Sequence, residues 1–421
     1  MTRRLPALSL LALGGLLLGT PAPAGARVSA RGAQPALYGA TWQGSLGLVR
    51  VARNTLRPLA EPRVPLAGEP LGWSFAPDRS RLAIGSARRG AKLRLIDLRA
   101  MRALGDVRVA RRGSGVATTW AGPRLVLAVV VTPGCCGAGD TIVAAVDAAR
   151  RRVIWRKELG GSLQAGERLR RGLLLVLGPR RRSVGASRLV RVGSRGDIRS
   201  EPLPQIRSGL APHGSVAQIW DPGLAVDRSR RRAFVVQAQA PLAEVDVRTL
   251  QIRWHALEPV TGVADAVVGP TRRALWLGRG LLAVTGFDSH FSPGDPAHGV
   301  RGWQTPAGLM LVDTRRWRAR TLDPRTTDAQ VVSGTLLASS FLFDARERAA
   351  HGSGLTGYSI EGRRRFHLLG KVPLTGVEPL GSRALVGARR AAVLIDARTG
   401  RRLRRYREFA MSLIGRDAPF H

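Results

Sequence analysis

The chain has two cysteines, and they are adjacent: Cys135 and Cys136. Neighbouring Cα atoms lie about 3.8 Å apart across a trans peptide, below the span of about 4.4–6.8 Å that disulfides prefer. A disulfide here would be strained, and the flanking Pro133 and Gly134 favour an unusual backbone. Because such strain clusters at ligand sites, Cys135, Cys136 and the nearby Asp140 are ligand-site candidates. A disulfide that stiffens a loop, a lid that contacts a ligand, and a reduced or intermolecular pair all stay open.

A second group of chemistry-bearing residues lies within FDSHFSPGDPAHGVRGW. It contains Asp288, His290, Asp295, His298 and Trp303. Carboxylates and imidazoles are ordinary ligands for divalent metals, but this spacing matches no standard metal site. Glycine and proline fill the gaps, so a solvent-exposed loop is the simpler interpretation, with no metal assigned.

A third group, His213, Trp220 and Asp221, lies within HGSVAQIWD. Histidine and aspartate can act as general acid and base. The chain has no G-x-S-x-G nucleophile motif and no P-loop, so no catalytic residue is assigned. The simpler interpretation is that these polar residues tie loops to strands.

A repeat extends through the chain and predicts the elements that position these residues. Its unit is an apolar strand that ends in Asp or another turn residue, a tight turn and a second strand. Clear copies are KLRLIDLRAMRAL, TIVAAVDAARRRVIWRKEL, PLAEVDVRTLQIRWHAL, GLMLVDTRRWRARTL and AAVLIDARTGRRLRRY, and three weaker copies accompany them. The eight turns lie near positions 53, 97, 147, 194, 246, 313, 361 and 396.

Short strands between Gly, Pro, Asp and Arg turns, four per unit, predict an all-β propeller. We expect a single propeller over residues 27–421 with eight blades, although seven are possible. An all-β solenoid or sandwich is the alternative. The segment Tyr38–Leu59 holds three predicted strands, and Phe409–Asp417 holds one that lacks a partner. Pairing these segments would close the ring and remove two sheet edges.

Three of the turns resemble the A-x-D-x-x-T-G-x-x-x-W blade motif of quinoprotein-type propellers. The stretch GLAVDRSRRRAFVVQ is similar to YVTN-type and WD-type surface propellers of secreted bacterial proteins. The resemblance implies that the motif tryptophans pack between blades; it implies little about activity, because such propellers serve many functions. The matching residues are Asp147 with Trp155, Asp246 with Trp254, and Asp396 with Thr399 and Gly400.

The resemblance also implies a cofactor to consider. Quinoprotein alcohol dehydrogenases carry a vicinal disulfide that packs on pyrroloquinoline quinone, which is bound with Ca²⁺. Here the cysteine pair likewise precedes the Asp147 motif, but it lies closer to the motif than in that family. The Ca²⁺ ligands and the catalytic Asp cannot be matched residue by residue. We therefore expect no cofactor, and pyrroloquinoline quinone with Ca²⁺ is the alternative.

The N-terminus predicts export. Arg3 and Arg4 precede an apolar run, Leu8–Gly19, and Ala24-Gly25-Ala26 follows Pro21 as a small-residue cleavage site. This order is typical of a secretory signal peptide, which assigns residues 1–26 to the signal and predicts an extracytoplasmic location. An uncleaved anchor is the alternative. After cleavage, no stretch of about 20 apolar residues remains to span a membrane.

Charge limits the partners that we expect. The chain carries 67 Lys and Arg against 29 Asp and Glu, a net charge of +38. Such a surface attracts polyanions and anionic lipids non-specifically, and salt weakens the attraction. Aromatic residues are 5% and do not alternate with the arginine runs, so we expect no sequence-specific nucleic-acid recognition.

The function that we expect is a monomeric propeller that acts as a binding platform. Its ligand would be a protein, an envelope polymer or a small molecule. The alternative is a quinoprotein-like oxidoreductase, or another propeller enzyme that uses the central channel.

Export predicts a specific mass. The protein isolated from the envelope or medium of its host should begin at Arg27, and intact mass spectrometry checks this directly. Alkylation under denaturing conditions then reports on Cys135 and Cys136, because an oxidised pair takes up no label. A full-length chain that begins at Met1 would contradict cleavage and support the anchor alternative.

Overall fold

The protein consists of β-strands and turns. A computed structural model describes residues 36–418, apart from residues 44, 61, 88–89, 133–138, 181–182, 214–215, 230, 258–266, 293–300, 345–348, 389–390 and 408–410. Within these residues there are 36 strands and no helix. No described segment therefore forms a helix that could cross a membrane. The predicted signal peptide, residues 1–26, lies outside the described residues.

The described strands form eight hydrogen-bonded sheets, which we number along the chain. Sheet 1 contains β1 (Leu37–Gln43), β2 (Ser45–Val51), β3 (Val64–Pro65) and the last strand, β36 (Met411–Ile414). Sheet 2 contains β4 (Gly72–Phe75), β5 (Arg81–Ser86), β6 (Ala91–Asp97) and β7 (Arg102–Ala110). Sheet 3 contains β8 (Gly115–Trp120), β9 (Leu125–Val131), β10 (Thr141–Asp147) and β11 (Arg152–Glu158).

Sheet 4 has five strands, whereas sheet 5 has four. Sheet 4 contains β12 (Leu163–Leu169), β13 (Gly172–Leu177), β14 (Val184–Gly193), β15 (Ile198–His213) and β16 (Val216–Trp220). Sheet 5 contains β17 (Gly223–Asp227), β18 (Arg232–Val236), β19 (Leu242–Asp246) and β20 (Ile252–His255).

Sheets 6 and 7 are connected by a hairpin. It lies in sequence between the second and third strands of sheet 7, but it pairs with sheet 6. Sheet 6 contains β21 (Val267–Gly278), β22 (Leu281–Ser292), β23 (Arg301–Pro306), β24 (Leu309–Asp313) and β25 (Arg318–Asp323). Sheet 7 contains β26 (Asp328–Val332), β27 (Thr335–Ser339), β30 (Leu355–Ser359) and β31 (Arg364–Leu368). The hairpin is β28 (Leu342–Asp344) and β29 (Ala349–His351). Sheet 8 contains β32 (Leu374–Leu380), β33 (Arg383–Ala388), β34 (Ala391–Asp396) and β35 (Arg402–Tyr406).

Apolar packing between consecutive sheets closes the ring. Eight clusters of buried side chains lie among the described residues, and each is shared by two neighbouring sheets. Leu48 and Leu82 join sheets 1 and 2, and Val49 and Leu394 join sheets 1 and 8. The sheets therefore follow one another around an axis, and the prediction of an all-β propeller is confirmed.

The C-terminal strand completes sheet 1, as the sequence predicts. β36 pairs antiparallel with β1, with Tyr38 opposite Ile414 and Thr41 opposite Met411. Each strand covers an edge that the other would leave open. The first and last parts of the described chain thus hold each other in one sheet.

The tight turns between the third and fourth strands are built by the motif aspartates. Asp147 accepts hydrogen bonds from the backbone N–H groups of Ala149 and Arg150, both at 2.9 Å. Asp396 accepts bonds from the N–H and hydroxyl of Thr399, and Gly400 adopts a φ of 75°. These bonds to the ionised form lower the pKa of Asp147 and Asp396.

The two ends of the propeller differ. The tight turns from the first to the second strand and from the third to the fourth lie at one end, the turn face. The connections from the second to the third strand and from sheet to sheet lie at the other end, the connection face. β15, β21 and β22 are long because they continue past the body of the propeller on the connection face.

The contribution of β36 to ring closure can be tested at Ile414. The Ile414 side chain is fully buried between sheets 1 and 2. Ile414→Ala should lower the free energy of unfolding by about 2–5 kcal/mol, because it removes buried methyl groups and leaves a cavity. Urea denaturation measures the change. Ser412→Ala, at an exposed position of the same strand, is the control. Equal effects of the two substitutions would contradict a closing role for Ile414.

Candidate functional site

Hairpins on the connection face form a raised wall over sheets 6 and 7. β22 pairs with β24 through Leu281–Val284, then continues and pairs with β23 through Phe287–Ser292. Gly286 lies between the two halves with a φ of 152°, and a Cβ atom there would approach the Thr271 carbonyl oxygen to 2.0 Å. Only glycine fits this position comfortably, so it allows the strand to leave the body of the propeller.

The wall continues into sheet 7 on one side. Trp303 of β23 is opposite Asp344 of β28, and the N–H of Phe343 donates to the Gln304 side-chain oxygen at 3.0 Å. β28 then pairs with β29, which is the edge strand of the extended sheet 6 among the described residues. Two insertions that are distant in sequence therefore form one surface.

The wall reaches sheet 4 on the other side. β15 and β16 form a hairpin, and Asp221, which follows β16, bridges to Thr271 of β21. The N–H of Arg272 donates to the Asp221 carbonyl at 2.8 Å. The raised wall thus comprises residues 206–221, 267–271, 286–306 and 342–351, within the described parts of these ranges. It exposes two apolar side chains, Ile219 at 47% and Phe343 at 39%.

The exposed-loop interpretation of the Asp288–Trp303 segment is wrong for its two ends, because these residues are strands of the wall. Asp288 is buried and forms an ion pair with the fully buried guanidinium of Arg272 at 2.7 Å. Arg272 also donates to the Phe287 carbonyl at 3.3 Å. Asp288 therefore neutralises a buried arginine where β22 enters the wall, a role that its sequence neighbours do not reveal.

His290 and Trp303 face each other across the β22–β23 pair. Their rings stack with centroids 5.2 Å apart, and His290 Nε2 lies 2.8 Å from the Thr305 hydroxyl oxygen. Asp295 and His298 lie outside the described residues. In the part of the chain that the structure describes, no three His, Cys, Asp or Glu side chains are close enough to hold a metal ion.

Cys135 and Cys136 also lie outside the described residues; in the sequence they fall between β9 and β10. The base of this connection is fixed. Thr132 and Asp140 exchange hydrogen bonds of 2.8–3.0 Å, and the Asp140 carboxylate accepts the N–H of Gly161 at 2.8 Å. Asp140 therefore ties the end of this connection to the segment between sheets 3 and 4.

The motif tryptophans lie between sheets, as the resemblance implies. Trp155 packs against Gly196 of sheet 4 and donates its indole N–H to the Ser194 carbonyl at 3.3 Å. Trp254 packs on the cluster shared by sheets 4 and 5. In both cases the side chain fills the boundary between two sheets.

The segment 415–418, which follows β36, enters the axial channel and begins a network of charges there. Arg168 of β12 pairs with Asp417 at 3.0 Å and donates to the Thr118 carbonyl of sheet 3 at 3.0 Å. It also donates to the Ala418 carbonyl. The neighbouring Glu167 lies 3.8 Å from Arg228, in the turn after β17. One guanidinium thus links sheets 3 and 4 to the segment after β36.

Arg416 extends the network to the opposite side of the channel. Its side chain donates to the Gln330 amide oxygen of sheet 7 at 2.9 Å and lies 3.7 Å from Glu378 of sheet 8. Arg273 of sheet 6 pairs with Asp328 at 3.5 Å and acts electrostatically on Asp221. Charged or polar contacts therefore connect the first strands of most sheets across the axis.

Burial controls protonation in this channel. Desolvation raises the pKa of Glu167, Asp221 and Glu378 to about 7, against the attraction of nearby arginines. The pKa of Asp328 is also raised by burial, and burial lowers the pKa of Arg168 and Arg416. With a pKa of about 7, Glu167, Asp221 and Glu378 change protonation near neutral pH, whereas the lowered pKa of Asp147 and Asp396 keeps these turn aspartates ionised there.

Two polar atoms in the channel make no hydrogen bond within the described structure: Asp328 Oδ2 and Gln330 Nε2. They lie two residues apart on β26, so both face the same side of the strand. One can accept a hydrogen bond and the other can donate one. Chemically, Glu167 and Glu378 can take up and release protons in the channel, and these two atoms offer one acceptor and one donor.

Sequence reasoning noticed Asp221 but missed Glu167, Arg168, Asp328, Gln330 and Glu378. A signal was present, because each is a charged or amide residue within the first strand of a repeat. The hairpin pattern does not show where first strands meet, and only the ring brings these residues together.

Comparison with known proteins establishes the fold alone. No family model matches the chain, and no curated protein matches it. The structure of dihydro-heme d1 dehydrogenase NirN in complex with DHE is similar over 94% of this chain and 79% of that chain, at 15% identity and a TM-score of 0.57. The chain is thus a β-propeller protein, and its similarity to this structure holds at the level of fold.

Two further structures are similar at lower scores. Quinohemoprotein alcohol dehydrogenase from Comamonas testosteroni matches over 78% of this chain and 66% of that one, at 11% identity and a TM-score of 0.48. BamB from Moraxella catarrhalis matches over 81% and 91%, at 12% identity and a TM-score of 0.44.

The axial network predicts a pH effect that one substitution isolates. The Glu378 pKa rises from its ordinary 4.5 to about 7 in the folded protein. Folding therefore binds this proton more tightly, and the resulting stabilisation is present at low pH and lost as the pH rises through the folded pKa. Glu378→Gln removes this dependence. Relative to wild type, its free energy of unfolding should increase by on the order of 2 kcal/mol from about pH 5 to about pH 8.

The magnitude is modest because 23% of the Glu378 side chain is exposed to channel water. Urea denaturation across this pH range measures it. The control is Glu361→Gln, since the Glu361 pKa is lowered and its side chain is exposed, so it stays ionised throughout. A pH-independent difference between wild type and Glu378→Gln would contradict the raised pKa.

Proposed function

We propose that this protein is an extracytoplasmic β-propeller that binds a protein partner through the raised wall on its connection face. The observation that carries the proposal is the wall itself. Insertions from sheets 4, 6 and 7 hydrogen-bond into one continuous surface at one end of the ring. Loops carried by a rigid scaffold are where binding residues concentrate in proteins of this kind.

The character of the wall favours a protein over a small molecule. Ile219 and Phe343 are exposed on it, at 47% and 39%. Apolar and aromatic residues in the centre of a surface provide much of the binding energy in protein interfaces. β29 ends the sheet, and an edge strand can also pair with an extended segment of a partner.

The buried groups of the wall support rigid presentation. The Arg272–Asp288 pair is fully enclosed, and the His290–Trp303 stack joins β22 to β23. Such contacts fix the hairpins before binding, so that less conformational entropy is lost on association. The extracytoplasmic location rests on the N-terminal pattern, with cleavage after Ala26.

The alternative function, a quinoprotein-like oxidoreductase, has weaker support in the described residues. Arg168, Arg416 and Asp417 cross the channel and pair with its lining. Among the described residues, no three His, Cys, Asp or Glu side chains lie together as a metal site, and no residue is matched to the Ca²⁺ ligands of that family. Incubation with pyrroloquinoline quinone and Ca²⁺, followed by dye-linked assays with alcohols, sugars and amines, tests this alternative.

Site-specific cross-linking in the exporting host tests the wall. A photo-reactive phenylalanine analogue at Phe343 or Ile219 should yield the same discrete cross-linked protein. The control position is Ile154, which is 55% exposed on β11 of sheet 3, away from the wall. Cross-links at Ile154 alone, or at all three positions equally, would exclude the wall as the binding surface.

A further inference from the structure

A groove opens between sheets 6 and 7, on residues separate from the raised wall. Its volume is about 700 Å³, within the range of about 300–1,000 Å³ that is common for ligand pockets. One side is the end of β25 and the turn after it, from Leu322 to Arg325. The other side is formed by Thr356 and Tyr358 of β30 and by residues 364–367 of β31.

The groove is lined by three arginines and a histidine against one carboxylate. The basic residues are Arg325, Arg364, Arg365 and His367, and the carboxylate is Asp323. Asp323 is buried and already engaged. It accepts the Tyr358 hydroxyl at 3.2 Å and the Arg325 backbone N–H at 3.0 Å, and the Arg325 side chain lies 3.7 Å away. Arg325 therefore compensates the single negative charge, and Arg364 and Arg365 supply the excess positive charge of the groove.

Two of the basic side chains are held in place from behind. Arg365 donates to the Thr335 hydroxyl at 2.7 Å, and His367 Nδ1 lies 3.0 Å from the Thr356 hydroxyl oxygen. His367 Nε2 and the remaining N–H groups of Arg365 are then the groups available to a ligand. The Arg364 side chain makes no hydrogen bond or ion pair within the described structure, whereas Arg325, which is 68% exposed, pairs with Asp323. Donors fixed in this way lose little freedom when they bind an anion.

We propose that this groove binds an acidic oligosaccharide, one that carries carboxylate or sulfate groups along its chain. Arg364, Arg365 and His367 follow an extended strand with about 3.3 Å between residues, so the basic groups are spread along the strand rather than gathered around one phosphate. Guanidinium groups bind carboxylates and sulfates through paired, charge-assisted hydrogen bonds. The Thr356 hydroxyl oxygen, beside His367, can also accept a hydrogen bond from a sugar hydroxyl.

The same lining disfavours a nucleic acid. Single strands bind by stacking bases on exposed aromatic rings. Tyr358 is buried with its hydroxyl on Asp323, and Phe366 is half-buried against the apolar cluster of sheets 7 and 8. The groove thus offers charge and hydrogen bonds without an aromatic platform.

A test of the groove must distinguish specific binding there from non-specific attraction to the chain's overall positive charge. Sheet 8 supplies a matched control, because β35 is also a fourth strand and carries the exposed Arg402 and Arg405. Arg364→Gln with Arg365→Gln and Arg402→Gln with Arg405→Gln remove the same charge from equivalent strands. Only the first pair lines the groove.

Calorimetric titration of the full exported protein with a sulfated, uronic-acid hexasaccharide at about 0.15 M salt provides the measurement, since free surface charge is strongly screened there. We expect saturable binding that the Arg364/Arg365 variant weakens at least about tenfold, the size of one lost charge-assisted contact. The Arg402/Arg405 variant should change the affinity less than about twofold.

Equal weakening by both variants, or no binding at this salt concentration, would overturn the proposal. Tighter binding of a single-stranded oligonucleotide of equal charge, lost in the Arg364/Arg365 variant, would show that the ligand class is wrong. Far-UV circular dichroism and urea denaturation of each variant confirm that it is folded. The cross-linking result at the wall is independent of all these outcomes, because the two sets of residues do not overlap.

Discussion

The pairing of β36 with β1 holds the ring together and also places charge on its axis. The same segment that supplies the last strand of sheet 1 continues as residues 415–418 into the channel. There Arg416 and Asp417 meet Glu378 and Arg168. Closure of the ring therefore also places Arg416 and Asp417 in the axial network.

That network explains how a chain with a large excess of arginine encloses ionisable groups. Removing charges from water is costly, and pairing with hydrogen bonds offsets the cost. Arg168 meets Asp417 and backbone carbonyls, whereas Arg272 meets Asp288 at the base of the wall. Glu378, which pairs with Arg416, is biased towards protonation because burial raises its pKa to about 7. Buried pairs here set position and pH response more than they add stability.

The two ends of the molecule are built differently. The turn face is built from short turns that the aspartates fix through backbone hydrogen bonds. The connection face carries the long strands β15, β21 and β22, and it gains the raised wall because hairpins there can pair with one another above the body of the ring. The groove at the boundary between sheets 6 and 7 is lined by polar side chains such as His367. At the boundary between sheets 3 and 4, by contrast, the space is filled by the side chain of Trp155.

The sequence alone determined the repeating hairpin, the positions of its turns and the pairing of the two ends, because strand period and turn residues are local signals. Asp147 and Asp396 could be assigned to turns for the same reason. What the tertiary structure decided was which distant residues meet. Asp288 looked like part of a loop, yet it neutralises Arg272, since strand pairing extends beyond the repeat. Arg168 reaches Asp417 only because the ring brings the first strands around one axis, a long-range contact that no local spacing encodes.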